Sequence, residues 1–210
     1  RTDPDAGTKG ISVVVAERGT PGFVVGDLED LCGMRANPVT SIRLYDCAVP
    51  LGNLIGEEGT GLRIGLAALD IGRTGIAAQA VGIAQAALEE AVKYSRQRRQ
   101  FGVPIAKHQA ISMMIADMAT QVDAARLMVY RSATLRDQGK PFSQASAMAK
   151  LFASETSTKV TDTAVQIHGG YGYSRLYPVE RYYRDARVTR IYEGTYEIHR
   201  MVIAKEILGA

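Results

Sequence analysis

Cysteine is scarce in this chain: only Cys32 and Cys47 occur among 210 residues. Two thiols with no CxxC pattern exclude a disulfide scaffold and the common cysteine-based metal sites. Buried, reduced thiols in a cytosol-like compartment are expected. Histidine is scarce too. His108, His168 and His199 lack metal-ligand spacing, so no metal site is expected. No apolar run is long enough to span a membrane, and no signal peptide is expected. An excess of one charge sign is also missing. The net charge of +3 is small, and the Lys and Arg are spread among acids, which argues against nucleic acid as a partner.

What is present is the composition of an ordinary globular protein, with 46% hydrophobic and 22% charged residues. The length suits one large domain or one and a half ordinary ones. Residues 1–10 read as an exposed loop running straight into a strand, the look of a chain that begins inside a domain.

The pattern changes near residue 58. Before it, short β-rich runs alternate with Gly, Pro and Asp. Ile11–Ala16, Phe23–Val25 and Ser41–Asp46 are the predicted strands. After Gly61 the periodicity is helical. The first helix is predicted over Leu62–Arg99, with two alanine-rich stripes: Ile76, Ala80, Ile83, Ala87 and Ala91, then Ala77, Val81, Ala84, Leu88 and Val92. Two apolar faces mean close packing on more than one side, as in a bundle or a subunit interface. A second helix is predicted over Lys107–Gln138, with Ile111, Met114, Met118, Val122, Ala125 and Val129 facing inward. A third covers Ser143–His168 and stops at Gly169 and Gly170. A shorter helix runs from Pro178 to Arg187, and a last one follows Gly194 to Leu208. The predicted fold class is α+β, mostly α. A partial antiparallel β domain (residues 1–58) leads into an up-and-down four-helix bundle of long helices (residues 59–210).

Three stretches could carry chemistry. Residues 166–173 place three glycines between aromatics at a helix end, where the backbone can approach a ligand and free N–H groups can meet phosphate. A helix cap followed by a turn explains the same residues. Residues 191–197 put Glu193 just before Gly194 and a helix. Glu193 is either a base in a cleft or a solvated acid at a helix N-terminus. Asp70 and Arg73 lie on one face of the long helix in an otherwise apolar neighbourhood, where charges need partners. Arg96–Arg99 is basic at a helix C-terminus, which the helix dipole explains.

Together these stretches resemble the acyl-CoA dehydrogenase family over essentially the whole chain. The matching pieces are Leu69–Arg73, Arg98–Gly102, His108–Gln109, Gln166–Gly170, Tyr183–Ala186 and Ile191–Thr195, in order and in register. The short-chain, butyryl-CoA type is the most similar. The resemblance implies the second half of the middle β domain and the whole C-terminal bundle. It also implies FAD as cofactor and α,β-desaturation of an acyl-CoA thioester. Glu193 would take the α-proton while a hydride passes from the β-carbon to the flavin. The backbone N–H of the base and a ribityl hydroxyl of FAD would stabilise the developing enolate charge.

Further roles carry over by resemblance. Asp70, Ile71, Gly72, Arg73 and Gly194 match substrate contacts. Thr195, Tyr196 and Glu197 match FAD contacts. Arg98 and Gln109 match residues that reach the FAD of a neighbouring subunit, and Phe101 is a further cofactor-binding position. Gln166, Ile167, His168, Gly169 and Gly170 match the segment at its adenosine and pyrophosphate end. A homo-oligomer, dimer or tetramer, with a shared FAD site is implied. So are an electron-transfer flavoprotein as acceptor and a bacterial cytoplasmic or mitochondrial matrix location. The chain departs from the family at His168, where Leu is common, at His199, where Gln is common, and at Tyr196, which replaces a frequent Ser. Gly72 matches the position where isovaleryl-type members carry their base, which leaves Glu193 as the candidate here. Two other readings compete with that enzyme. One is a helical oligomerisation module that binds no flavin, its remaining strands showing uncovered apolar surface. The other is a family relative with a different acyl substrate or oxidase behaviour.

Overall fold

A computed structural model describes residues 1–209; Ala210, the last residue of the expected bundle domain, lies outside the described residues. The chain is mostly helical with small antiparallel sheets, and its long helices pack together as the expected bundle requires. It divides into two compact units, residues 1–69 and 70–210.

The first unit holds two two-stranded sheets. Strand β1 (Val13–Val14) pairs with β4 (Leu54–Ile55), and β2 (Phe23–Leu28) pairs with β3 (Thr40–Leu44). In the second pair Phe23 faces Leu44, Val25 faces Ile42, and a bulge follows before Leu28 meets Thr40. The predicted strand over Ile11–Ala16 is shorter than expected, and β4 had no clear alternation to reveal it. Two-stranded ribbons have no second layer to bury an apolar face. Leu28, Ile42 and Leu44 are accordingly 70%, 59% and 58% exposed, the uncovered apolar surface that the strand sequences suggested. The same lack of a core corrects the expectation for the thiols: Cys32 is exposed and Cys47 half-buried, although no disulfide joins them.

Helix α1 (Gly61–Gln97) is about 55 Å long at 1.5 Å per residue. It ends in a hairpin that sequence periodicity missed: β5 (Arg99–Gln100) against β6 (Val103–Pro104). The two loop residues, Phe101 and Gly102, have φ of 52° and 81°. Positive φ at both central positions is what a tight hairpin turn matching strand twist requires. Helices α2 (Gln109–Asp137), α3 (Ser143–His168), α4 (Val179–Val188) and α5 (Tyr196–Leu208) follow, each within a few residues of its predicted span. The α2–α3 turn carries Gly139 at φ 65°, and α3 stops at Gly169, φ 60°. Both are conformations that glycine adopts without a Cβ penalty.

The core of the second unit is built from small side chains. Ala77, Ala80, Ala84, Ala87 and Ala91 on α1 are fully buried, as the two stripes predicted, while Met118, Val122, Ala125 and Val129 face them from α2. Thr74 on α1 and Ser132 on α2 share a hydrogen bond of 2.8 Å, and Arg126 donates to Gln85 at 2.7 Å. Helix α3 is central: it packs on α2, α4 and α5. Since alanine sets the helix separation, Ala84→Leu should overpack the core and lower stability by about 1–3 kcal/mol. A urea unfolding midpoint unchanged by that substitution would place Ala84 outside the packed interior.

Candidate active site

The loop between α4 and α5 carries Glu193 in a left-handed conformation, φ 55°, followed by Gly194 at φ 98°. A non-glycine residue there is uncommon, and such strain collects where surrounding structure enforces it. The turn folds the half-buried Glu193 back onto α1. A Cβ placed on Gly72 would stand 2.5 Å from Glu193 Oε2 and 2.8 Å from its Cδ. The carboxylate therefore rests on the bare backbone of Gly72, and a side chain at that position would force it to move. One residue earlier, the Tyr192 hydroxyl donates to Gln79 Oε1 on α1 and ties the same loop down.

Charges gather around this carboxylate. Arg73, 5% exposed, donates to Asp70 Oδ1 at 2.7 Å, and Ser143 Oγ donates to the same oxygen at 3.1 Å. Because the guanidinium is buried, this is not a surface ion pair. The Arg73 Nε has no hydrogen-bond partner among the described residues. Lys150 reaches from α3, fully buried, and donates from Nζ to the Gly194 carbonyl at 2.6 Å. Burial first, and then Arg73, lower the Lys150 pKa to about 8, while Glu193 opposes the drop. His199 on α5 is fully buried with its ring against Gly194. Burial, then Lys150 and Arg73, lower its pKa to about 4, so the ring is neutral near pH 7. A neutral ring adds no third cation beside Lys150 and Arg73. The loop then enters α5 through Thr195 in extended conformation. Tyr196 is buried beneath the Arg190 guanidinium at 4.1 Å, and Glu197 is exposed.

A second feature lies at the other end of α3. A cleft of about 680 Å³ is lined by Arg98, Phe101, Gln166, Ile167, His168, Gly169 and Gly170 among the predicted cofactor residues. Gln109 opens α2 beside it and is exposed. His168 stacks on Tyr94 with ring centroids 4.1 Å apart, and its Nδ1 pairs with the Ala164 carbonyl at 2.8 Å. Burial lowers the His168 pKa, and Arg98 supplies a permanent cation to the cleft. Arg98 stands 5.8 Å from the Tyr171 ring centroid. Phe101, at the tip of the β5–β6 hairpin, is 93% exposed. A cation, aromatic faces and glycine backbone suit an anionic, ring-bearing ligand, beside buried Nε2 atoms of His108 and His168 that have no partner among the described residues.

The structure thus sorts the predicted site residues into two groups. Asp70, Gly72, Arg73, Glu193 and Gly194 meet at one, with Thr195, Tyr196 and Glu197 continuing from it. Ile71 is exposed on α1. Lys150 at the first group and Tyr94 and His108 at the second were not predicted. Tyr94 lies one helical turn before Arg98, a spacing that puts both on one face. A lysine amid the alanines and serines of the first half of α3 was the available signal for Lys150. Among the described residues no cluster of His, Cys, Asp or Glu could hold a metal ion, and no helix is long and apolar enough to cross a membrane.

Residues 59–208 match the family model described as acyl-CoA dehydrogenase, C-terminal domain. The chain is 52% identical to an acryloyl-CoA reductase (NADH) of Anaerotignum propionicum, covering 99% of this chain and 52% of that protein. It superimposes with a TM-score of 0.97 on butyryl-CoA dehydrogenase of Megasphaera elsdenii, at 49% identity, covering 99% of this chain and 54% of that one. A chain from the structure of the electron transferring flavoprotein of Acidaminococcus fermentans gives 0.98 at 50% identity, covering 100% and 55%. The chain spans about half the length of the curated relatives it matches.

Acid should expose the buried neutral His199. Its folded pKa of about 4 lies below the ordinary value of 6.5, so the unfolded chain takes up a proton first. The stability tied to this group is complete above pH 6.5 and is lost as pH falls toward 4, by on the order of 2–3 kcal/mol. In urea titrations between pH 7 and pH 4, His199→Gln should lose less stability than the unsubstituted chain; equal losses would contradict a buried neutral imidazole.

Proposed function

The chain belongs to the acyl-CoA dehydrogenase family, and on that premise we propose that it serves FAD-dependent α,β-desaturation of short-chain acyl-CoA thioesters, with Glu193 as the base. The observation that carries this reading is the Glu193 carboxylate held against Gly72 by a left-handed turn. A base must come within hydrogen-bond reach of the proton it removes, and glycines at 72 and 194 leave its approaches free of side chains. Position 72, where isovaleryl-type members carry their base, lies against the Glu193 carboxylate, so the two placements converge on one point. The α-proton of a thioester is only weakly acidic. The backbone N–H of Glu193 is the donor assigned to the thioester carbonyl, where such a donor is worth about 3 kcal/mol. Asp70, Ile71, Gly72, Arg73 and Gly194 form the substrate side in this reading.

FAD, when bound, supplies the two-electron oxidation. The residues assigned to hold it are Thr195, Tyr196 and Glu197 at the start of α5, and Arg98, Phe101, Gln109 and Gln166–Gly170 around the cleft. Lys150 and His168 are eighteen residues apart on α3, about 27 Å along the axis. Two cofactor surfaces a helix length apart suit FAD sites shared between copies of the chain, and the exposed Phe101 hairpin suits a contact with a neighbouring copy. A homodimer or homotetramer goes with this reading. So do an electron-transfer flavoprotein as acceptor, supported by the Acidaminococcus structure, and a bacterial cytoplasmic or mitochondrial matrix location. A second reading is reduction of a short enoyl-CoA, favoured by the 52% identity to the acryloyl-CoA reductase. The same residues would serve it, with protonated Glu193 giving its proton to the α-carbon and reduced FAD, when bound, supplying the hydride for the β-carbon. A third reading keeps the 210 residues as a bundle module without flavin.

In the enzyme at the full length of its relatives, Glu193→Gln should retain FAD, seen in the visible spectrum, while butyryl-CoA turnover falls by about 10²–10⁴-fold. Near-normal turnover would remove Glu193 as base. Arg98→Ala deletes the cleft cation and should weaken FAD affinity roughly 10–100-fold, measured by flavin fluorescence on dilution. Unchanged affinity would take Arg98 out of the cofactor site. A 210-residue chain that takes up no FAD would favour the bundle-module reading for this segment by itself.

A further inference from the structure

Among the described residues, Lys150 is the largest side chain with no exposed surface. It stands on α3 between the buried Ala149 and Ala153, where a charged group gains nothing from helix packing. An ammonium taken out of water is unfavourable unless it is hydrogen-bonded and has compensating charge. Its hydrogen bond is short and specific, from Nζ to the Gly194 carbonyl at 2.6 Å. The charged and titratable groups facing it are Arg73 on α1, His199 on α5 and Glu193 on the loop; only Glu193 opposes its charge.

The carbonyl it holds belongs to the turn that needs holding. Glu193 and Gly194 are two successive residues at positive φ, 55° and 98°. A non-glycine residue stays in that region only when its surroundings over-determine it. The Tyr192–Gln79 hydrogen bond fixes the chain before Glu193, and entry into α5 fixes it after Thr195. Between them the Lys150–Gly194 hydrogen bond anchors the turn to α3. A long side chain from a rigid central helix is what such an anchor requires.

We propose that Lys150 is a positioning residue: its ammonium group clamps the Gly194 carbonyl and so fixes the left-handed turn that lays the Glu193 carboxylate on Gly72. This rests on the assignment of Glu193 as the base. Lys150 touches neither substrate nor cofactor in this role. Its loss lets the turn relax, and a displacement of about 1 Å at a reacting group can lower a rate on the order of a hundredfold.

The test uses the flavin-loaded enzyme at the full length of its relatives, with butyryl-CoA. Lys150→Met keeps the length of the side chain and removes the donor. It should lower kcat by about 10–100-fold, leave KM within about threefold and leave the FAD spectrum unchanged. A folded variant, by circular dichroism and thermal melting, whose kcat stays within twofold overturns the proposal; so does one that loses KM and kcat together. Where Lys150→Met does not fold, Lys150→Gln, with a shorter donor, is judged by the same limits. A double-mutant cycle separates this proposal from the assignment it rests on. In a Glu193→Gln background, Lys150→Met should cause no further loss of residual turnover, and a further multiplicative loss overturns action through Glu193. An active Glu193→Gln enzyme fails the base assignment itself. An inactive Glu193→Gln with a fully active Lys150→Met fails only the clamp.

Discussion

Alanine, serine and threonine cover most of the buried positions of α3, and the close helix approach they permit is the constraint on which the rest of the second unit depends. Ala145, Ala149, Ala153, Ser157, Thr161 and Ala164 are all buried. Side chains of this size let backbones come near and give up little rotamer freedom on burial. Ser154 and Thr161 return their hydrogen bonds to the carbonyl one turn back, while the buried Ser157 hydroxyl has no partner among the described residues. A helix enclosed this way is a rigid rod. It carries Lys150 toward one functional region and His168 and Gly169 toward the other.

Around Glu193 the balance of charge is set by burial. Two cations, Arg73 and Lys150, are removed from water beside one another. Asp70 compensates the first through a 2.7 Å hydrogen-bonded pair, itself steadied by Ser143. The second is held by a carbonyl dipole and by the nearby Glu193 carboxylate. His199, which could have added a third charge, is kept neutral by the same burial. The strained turn is then affordable because three independent elements hold it: α1 through Gln79, α3 through Lys150, and α5 through its first turn. A base set on a loop in this way gains the precision of the helices around it.

The first unit has a different character. Its two ribbons contain no buried residue, and their valines, leucines and isoleucines remain in contact with water. Pairing alone satisfies the strands' hydrogen bonds but offers no second apolar layer, so alternating residues have nothing to face.

Sequence alone determined the five helices and their inward stripes, since periodicity and Gly or Pro punctuation are local signals that packing only ratified. The runs of small residues also announced close helix contact. The family motifs marked Glu193, Gly72 and Arg98 as residues to watch. Local pattern could not show the short pairings β4 and β5–β6, because two-residue strands have no period to read and the hairpin depends on positive φ at a phenylalanine. Nor could it show the exposure of Cys32, which reflects a missing layer rather than a residue preference. Above all, only the tertiary structure decided that Gly72 lies under the Glu193 carboxylate, that Arg73 is buried, and that Lys150 grips Gly194. Each of these joins residues far apart in the chain, and their energies come from desolvation and close approach, which exist only once the helices have packed.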